Sequence, residues 1–237
     1  LSKSGQVSCG SCHKPSFAFS DNVALSLGDH DAVGRSNAPS LANVAYQPYY
    51  TRAGGVATLE MQVLVPIQEH DEFNSNIVDI AQALTTNPVY AKAAFDCYGR
   101  ELDPYVIVRA ISNFERSLIS GNSRYDNYVF QGNKTALPAN ALRGMNLFMS
   151  KKTNCSKCHS GFNFSNYEFE NNGLYEVYPD SGRMRLTRLE SDRALFKVPT
   201  LRNIQFTAPY MHDGSISSLK EVIAHYNSGG KPHPNKN

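Results

Sequence analysis

Tryptophan is absent from this chain of 237 residues, and cysteine and methionine occur only five times each. No stretch of 18 or more residues is continuously apolar, so the sequence offers no segment with the pattern of a membrane-spanning helix. An excess of one charge sign is also missing. Lys and Arg number 23 against 21 Asp and Glu, a net charge of +2, which excludes the basic footprint of a nucleic-acid binder. The first residues, Leu1-Ser2-Lys3-Ser4-Gly5, lack the apolar run of a secretory signal. They read as a start left by processing or trimming, and the closing Gly229 to Pro234 reads as a loop. Alternating strand patterns are scarce throughout, which disfavours an all-β fold.

What the chain does have is one pentapeptide twice: Cys9-Gly10-Ser11-Cys12-His13 and Cys155-Ser156-Lys157-Cys158-His159. C-x-x-C-H is the attachment pattern of a c-type haem. Two thiols three positions apart add to the two vinyl groups of one porphyrin, and the adjacent His reaches the iron. A structural zinc site would also use two C-x-x-C pairs, but it gives no reason for a His after each. A redox dithiol belongs after a buried strand, whereas Cys155 follows a helix-like run from Leu137 to Met149. Two covalent haems are the reading, and such attachment places the protein in the periplasm or an equivalent compartment. Cys97 is left over, and its setting in Ala93 to Tyr98 reads as a buried structural thiol.

The fold class expected is mostly α: two cytochrome-c-like haem lobes with long connecting loops, residues 1–131 and 132–237. Ser26 to Pro48 is rich in loop formers. Ile77, Ile80, Ala81 and Leu84 keep helical spacing. Pro88 starts a helix through Cys97, and Asp103-Pro104 starts another with the stripe Ile107, Ile111, Phe114 and Leu118. Gly121 to Thr135 is polar and reads as the linker. Pro138 opens a helix into the second motif, and Gly161 to Pro209 looks irregular. Ser218-Leu219-Lys220-Glu221 is a capping box that opens a last helix, with Gly229 as its stop.

Further segments resemble the bacterial di-haem cytochrome c peroxidases, the superfamily that also contains MauG. They are Asn37-Ala38-Pro39-Ser40-Leu41, the trio Gln62, Pro66 and Glu72, Phe196 to Asn203, and Thr207-Ala208-Pro209-Tyr210-Met211-His212-Asp213-Gly214. The resemblance implies that the haem on Cys9, Cys12 and His13 is peroxidatic, and that the one on Cys155, Cys158 and His159 takes up electrons. It implies that Glu72 is the acid/base and that Gln62 lines the same pocket. Alone, Glu72 among Glu69 and Asp71 reads as a solvated carboxylate. The family also holds calcium between its haems through one Asn side chain and two backbone carbonyls, which map to Asn37, Thr207 and Pro209. Oxygen donors suit that ion.

Three places depart from the family pattern. The sixth ligand of the second haem falls on Tyr226, with Met211 as the alternative sulfur and no ligand as the third option; phenolate lowers an iron potential where thioether raises it. The Trp between the haems is replaced by Arg52, which no longer serves as an oxidisable relay, and Tyr49 or Tyr50 is the substitute. The loop His that caps the first haem maps to Asp29, with His30 beside it. His30 is either that cap or a solvated loop residue.

Three functions follow from this reading. The first is a peroxidase that reduces hydrogen peroxide to water with electrons from a small cytochrome c or cupredoxin. The second is a MauG-like oxidase of a protein or organic substrate. The third is a non-enzymatic di-haem electron carrier, which has no use for an acid/base at Glu72. Family members are often homodimers.

Overall fold

The computed structural model describes residues 1–237 as ten α-helices, five short 3-10 turns and one two-stranded sheet. The helices are α1 Cys9–Cys12, α2 Leu59–Gln68, α3 Ile77–Thr85, α4 Pro88–Tyr98, α5 Pro104–Ser117, α6 Arg124–Val129, α7 Ala139–Phe148, α8 Cys155–Cys158, α9 Met184–Thr187 and α10 Leu219–Asn227. β1 Phe169–Glu170 pairs antiparallel with β2 Phe196–Lys197, Phe169 opposite Lys197. The chain is mostly α, as the weak strand signals implied.

Local chemistry explains the helix starts. Asn76, Asn87, Asp103 and Ser218 each accept a backbone N–H of the first turn, and Pro88 and Pro104 occupy a first position that lacks an N–H at no cost. Ser218 and Glu221 form the expected capping box. The core is small and lies where α2 packs on α5. Val63, Ile67 and Phe73 form one cluster, joined by Ile77, Ile80 and Ile111; Val44, Tyr50 and Leu59 form the other.

Two expectations are corrected, and one helix is added. Cys97 is exposed. The inward side of α4 runs through Ala91, Ala94 and Tyr98, and Cys97 falls off that stripe. The polar Gly121–Thr135 segment is not a bare linker. It carries α6, opened by a Ser123/Asp126 capping box, and Asp126 is 4% exposed and paired with Arg202. Finally, α2 was not foreseen, because Pro66 lies inside it. Pro66 sits in the last turn, where its carbonyl accepts the Phe73 N–H at 3.1 Å and turns the chain back on itself.

The two halves repeat each other. Ala38-Pro39-Ser40-Leu41-Ala42-Asn43-Val44 and Val198-Pro199-Thr200-Leu201-Arg202-Asn203-Ile204 share the pattern x-Pro-Ser/Thr-Leu-x-Asn-Val/Ile. Asn43 and Asn203 are both left-handed, and each precedes a 3-10 turn. The Tyr50–Val56 bridge is matched by Tyr210–Ile216, and Thr58 and Ser218 then cap α2 and α10. Both asparagines meet at Ser120: Asn43 Nδ2 donates to its carbonyl at 2.7 Å and Asn203 Nδ2 to its hydroxyl at 2.9 Å. The correspondence continues along the two helices. It sets Gln62 against Val222, and Pro66 against Tyr226.

Candidate active site

Each C-x-x-C-H motif folds alike. Cys9–Cys12 and Cys155–Cys158 are single helical turns, so thiols three residues apart share a face. The His that follows ends the turn, its N–H donating to Cys9 O at 2.8 Å or to Cys155 O at 2.9 Å. His13 Nδ1 lies 2.8 Å from Phe19 O, and His159 Nδ1 lies 2.9 Å from Phe164 O. A carbonyl only accepts, so each Nδ1 carries the proton and each Nε2 presents a lone pair. Burial lowers both imidazole pKa values, which keeps the rings neutral. Four free thiols and two oriented Nε2 atoms are the donor set that two c-type haems require.

Beside the first motif lie the acid/base candidates. Glu72 is in the turn after α2, and its backbone is pinned. Its N–H donates to Glu69 O at 3.1 Å and its carbonyl accepts the Asp29 N–H at 2.7 Å. Gly28 makes that approach possible, since a Cβ there would meet Asp71 O at 2.2 Å. Burial pushes the Glu72 carboxyl up to about 7, with the like charges of Asp71 and Glu69 adding to it. The residue as a whole is nonetheless exposed to solvent. Gln62, on α2, has a buried Oε1 without a hydrogen-bond partner.

Glu115 on α5 was not foreseen. Its Oε2 is buried and unpartnered, and burial pushes its carboxyl up to about 7. Both Glu115 and Glu72 raise the pKa of the Cys9 thiol, so two carboxyls border the first motif. The only sequence signal was a carboxylate four residues after Ile111, at the edge of an apolar stripe. His30 is a solvated loop residue in this structure, its side chain 74% exposed.

At the second motif the two ligand candidates converge on one amide. Asn172 Nδ2 donates to Met211 Sδ at 3.2 Å, and the Asn172 side chain is near enough to the Tyr226 phenol to oppose the upward shift of its pKa. Burial raises the phenol pKa, and the Cys158 and Cys155 thiols are close enough to add to the shift, although 54% of the residue is exposed.

Between the halves, Tyr49 stacks on Phe169 with centroids 5.3 Å apart, whereas Tyr50 is packed in the core. The Arg52 guanidinium bonds Asn37 O through Nη2 at 2.6 Å and Nε at 3.2 Å, and Nη2 lies 3.4 Å from Asn37 Oδ1. Desolvation pulls Arg52 down to about 10, so it stays charged at neutral pH. Thr207 and Pro209 carbonyls accept no hydrogen bond from the chain. Calcium fits this arrangement poorly. An ion about 2.4 Å from Asn37 Oδ1 would lie within about 6 Å of the guanidinium nitrogen, where +2 and +1 charges repel by about 5 kcal/mol at an effective dielectric of about 20.

A mostly helical chain with two C-x-x-C-H turns, each with its His oriented for iron, defines a di-haem c-type cytochrome. The chain belongs to the di-haem cytochrome c peroxidase family, whose sequence pattern matches residues 1–135. It is 33% identical to the methylamine utilization protein MauG of Methylorubrum extorquens over 99% of this chain and 67% of that one. It is 35% identical to the cytochrome c551 peroxidase of Nitrosomonas europaea over 94% and 67%. The chain therefore spans about two thirds of the length of these relatives. A crystal structure of a MauG-like protein associated with microbial copper homeostasis superposes with TM-score 0.89 at 32% identity, covering 100% of this chain and 75% of that one. The protein is an oxidoreductase with two c-type haems, and no helix is long and apolar enough to cross a membrane.

Proposed function

We propose that the chain reduces hydrogen peroxide to water in the periplasm, with electrons from a small cytochrome c or cupredoxin. The observation that carries this reading is the asymmetry of two equivalent helices. On α2 the place that matches Tyr226 holds Pro66, which has no group to offer a metal, with Gln62 on the same helix and Glu72 in the turn that follows. On α10 the same place holds Tyr226, next to the Cys155 and Cys158 thiols. One half is built to admit an oxidant and the other to be closed by its own side chain. His13 and His159 would hold the two irons through Nε2.

When bound, the haems supply the two electrons that H₂O₂ + 2e⁻ + 2H⁺ → 2H₂O consumes. Glu72, held near pKa 7, takes a proton from one peroxide oxygen and returns it to the other, so that the second leaves as water. Gln62 directs its unpartnered Oε1 to orient the peroxide proton. Tyr49, stacked between the halves, is the aromatic group placed to relay electrons in the absence of Trp. In this reading the chain divides into two haem lobes, 1–131 and 132–237, and Asp126 pairs with Arg202 across that division. Calcium at Asn37, Thr207 and Pro209 is not part of this reading, because Arg52 engages the Asn37 oxygens.

The test is steady-state turnover of the matured protein. Peroxide should oxidise two equivalents of reduced donor per molecule consumed. A protein loaded with both haems that leaves the donor reduced under peroxide rejects the reading. Tyr226 also favours a second one, a MauG-like oxidase acting on a protein, and the first relative named carries that name. If Tyr226 closes the second iron, Tyr226→Phe changes that haem's low-spin spectrum and Met211→Leu does not. The opposite pattern assigns the ligand to Met211.

A further inference from the structure

The joint between the two halves contains a cation of its own. Asn37 is 5% exposed and is held at both ends of its peptide. Its N–H donates to His212 O at 2.9 Å, in the second half, and its carbonyl accepts two bonds from Arg52. Arg52 is tied across the joint as well, its carbonyl accepting the Lys197 N–H at 2.8 Å. Nothing about Asn37 leaves its side-chain oxygen free: Nδ2 donates to Val23 O and Ala24 O, which turns Oδ1 toward Arg52 Nη2. The carboxylates of Asp213 and Asp180 are near enough to favour the guanidinium charge.

We propose that the Arg52 guanidinium takes the place of calcium in this chain, a covalently held cation bonded to Asn37, whose side-chain oxygen is the one calcium ligand it shares, and that it joins the two halves without a metal. The argument is one of chemistry and position. The family resemblance puts a divalent ion on the Asn37 side chain, and it puts Trp where this chain has Arg52. The structure brings those two places together. A planar guanidinium offers several donors to carbonyl oxygens at fixed angles, which is what a spherical cation does with its charge alone. The substitution therefore removes an oxidisable ring and supplies the charge in one step. It also frees the joint from the calcium concentration of its surroundings.

The experiment uses the matured di-haem protein and calcium itself as the probe. After dialysis against calcium, elemental analysis should find well under one ion per chain, and the chelator EGTA should leave both the Soret spectrum and the melting midpoint unchanged. Arg52→Gln should melt lower by roughly 5 °C, and millimolar calcium should restore much of that loss. Arg52→Lys, which keeps the charge, should respond to calcium less than the Gln variant. The proposal is overturned if the unaltered protein retains about one calcium per chain, or if EGTA shifts its spectrum or midpoint. It is equally overturned if Arg52→Gln melts like the parent without calcium. Should the Gln variant fail to mature, the two measurements on the unaltered protein still decide the matter.

Discussion

Glu72→Gln lowers peroxide turnover by about 10²- to 10⁴-fold, the range that a positioned acid/base contributes, while both haems remain attached. The amide keeps the shape and the hydrogen-bonding reach of the side chain but accepts no proton. The pH profile gives a second signature. The base form of Glu72 is the working form, and its carboxyl is pushed up to about 7. Rates therefore rise with pH up to about 7 and level off above it, and this limb disappears in the Gln variant. Glu115, pushed to a similar value, is the control. Glu115→Gln leaves the limb in place if Glu72 is the base. The same upward shift bears on folding. The folded chain holds these protons more tightly than the unfolded chain, so stability falls as pH rises from about 4.5 toward 7. A profile that is flat across pH 7, with the Gln variant at full rate, removes Glu72 from the chemistry.

Asp126→Ala should unfold the protein more easily by about 3–5 kcal/mol, because breaking a buried pair strands its partner without compensation. Arg202 reaches Asp126 with two parallel bonds, Nη1 to Oδ2 at 2.6 Å and Nη2 to Oδ1 at 2.8 Å. Both side chains are almost fully buried, 5% and 6% exposed. The guanidinium also lies over the Phe162 ring, 4.3 Å from its centroid. With the carboxylate gone, that charge has no counter-ion. The melting midpoint should drop by roughly 10 °C. Acid sensitivity follows from the same contact. The bonds from Arg202 and Ser123 hold the Asp126 carboxyl down at about 2. Its contribution to stability is complete above the ordinary aspartate range near 3.8 and fades as pH falls toward 2. Thermal melts of the Ala variant across this range should show a smaller acid loss than the parent; an identical loss would mean that the pair does not govern it.

Much of this architecture was legible because it is written in local chemistry. The two haem motifs are contiguous pentapeptides, and caps such as Asp103 and Ser218 announce helices within four residues. Where the deciding contact is distant, the sequence is silent. The Asp126–Arg202 pair spans 76 positions, so α6 read as a polar linker until its buried face was seen. The α2 helix was hidden by Pro66, a residue that ordinarily ends a helix and here sits in its final turn. Cys97 misled because small apolar neighbours surround it on both sides, and only the stripe through Ala94 tells inside from outside. Glu115 and the Arg52–Asn37 contact were missed for a related reason. Nothing in either segment says that a carboxylate lacks a partner, or that a guanidinium faces an asparagine across a loop. The repeat of the two halves was visible at the level of the motifs. The finer match that pairs Pro66 with Tyr226 needed the shared turns and bridges of the structure.

The most direct measurement of the whole account is an EPR spectrum of the matured protein with both haems ferric. One of the two should give a high-spin signal from an iron with an open position, assigned to His13 by its loss on replacing that residue. Low-spin signals alone would show both irons closed by protein ligands, and the chain would then be a carrier of electrons with no site for an oxidant.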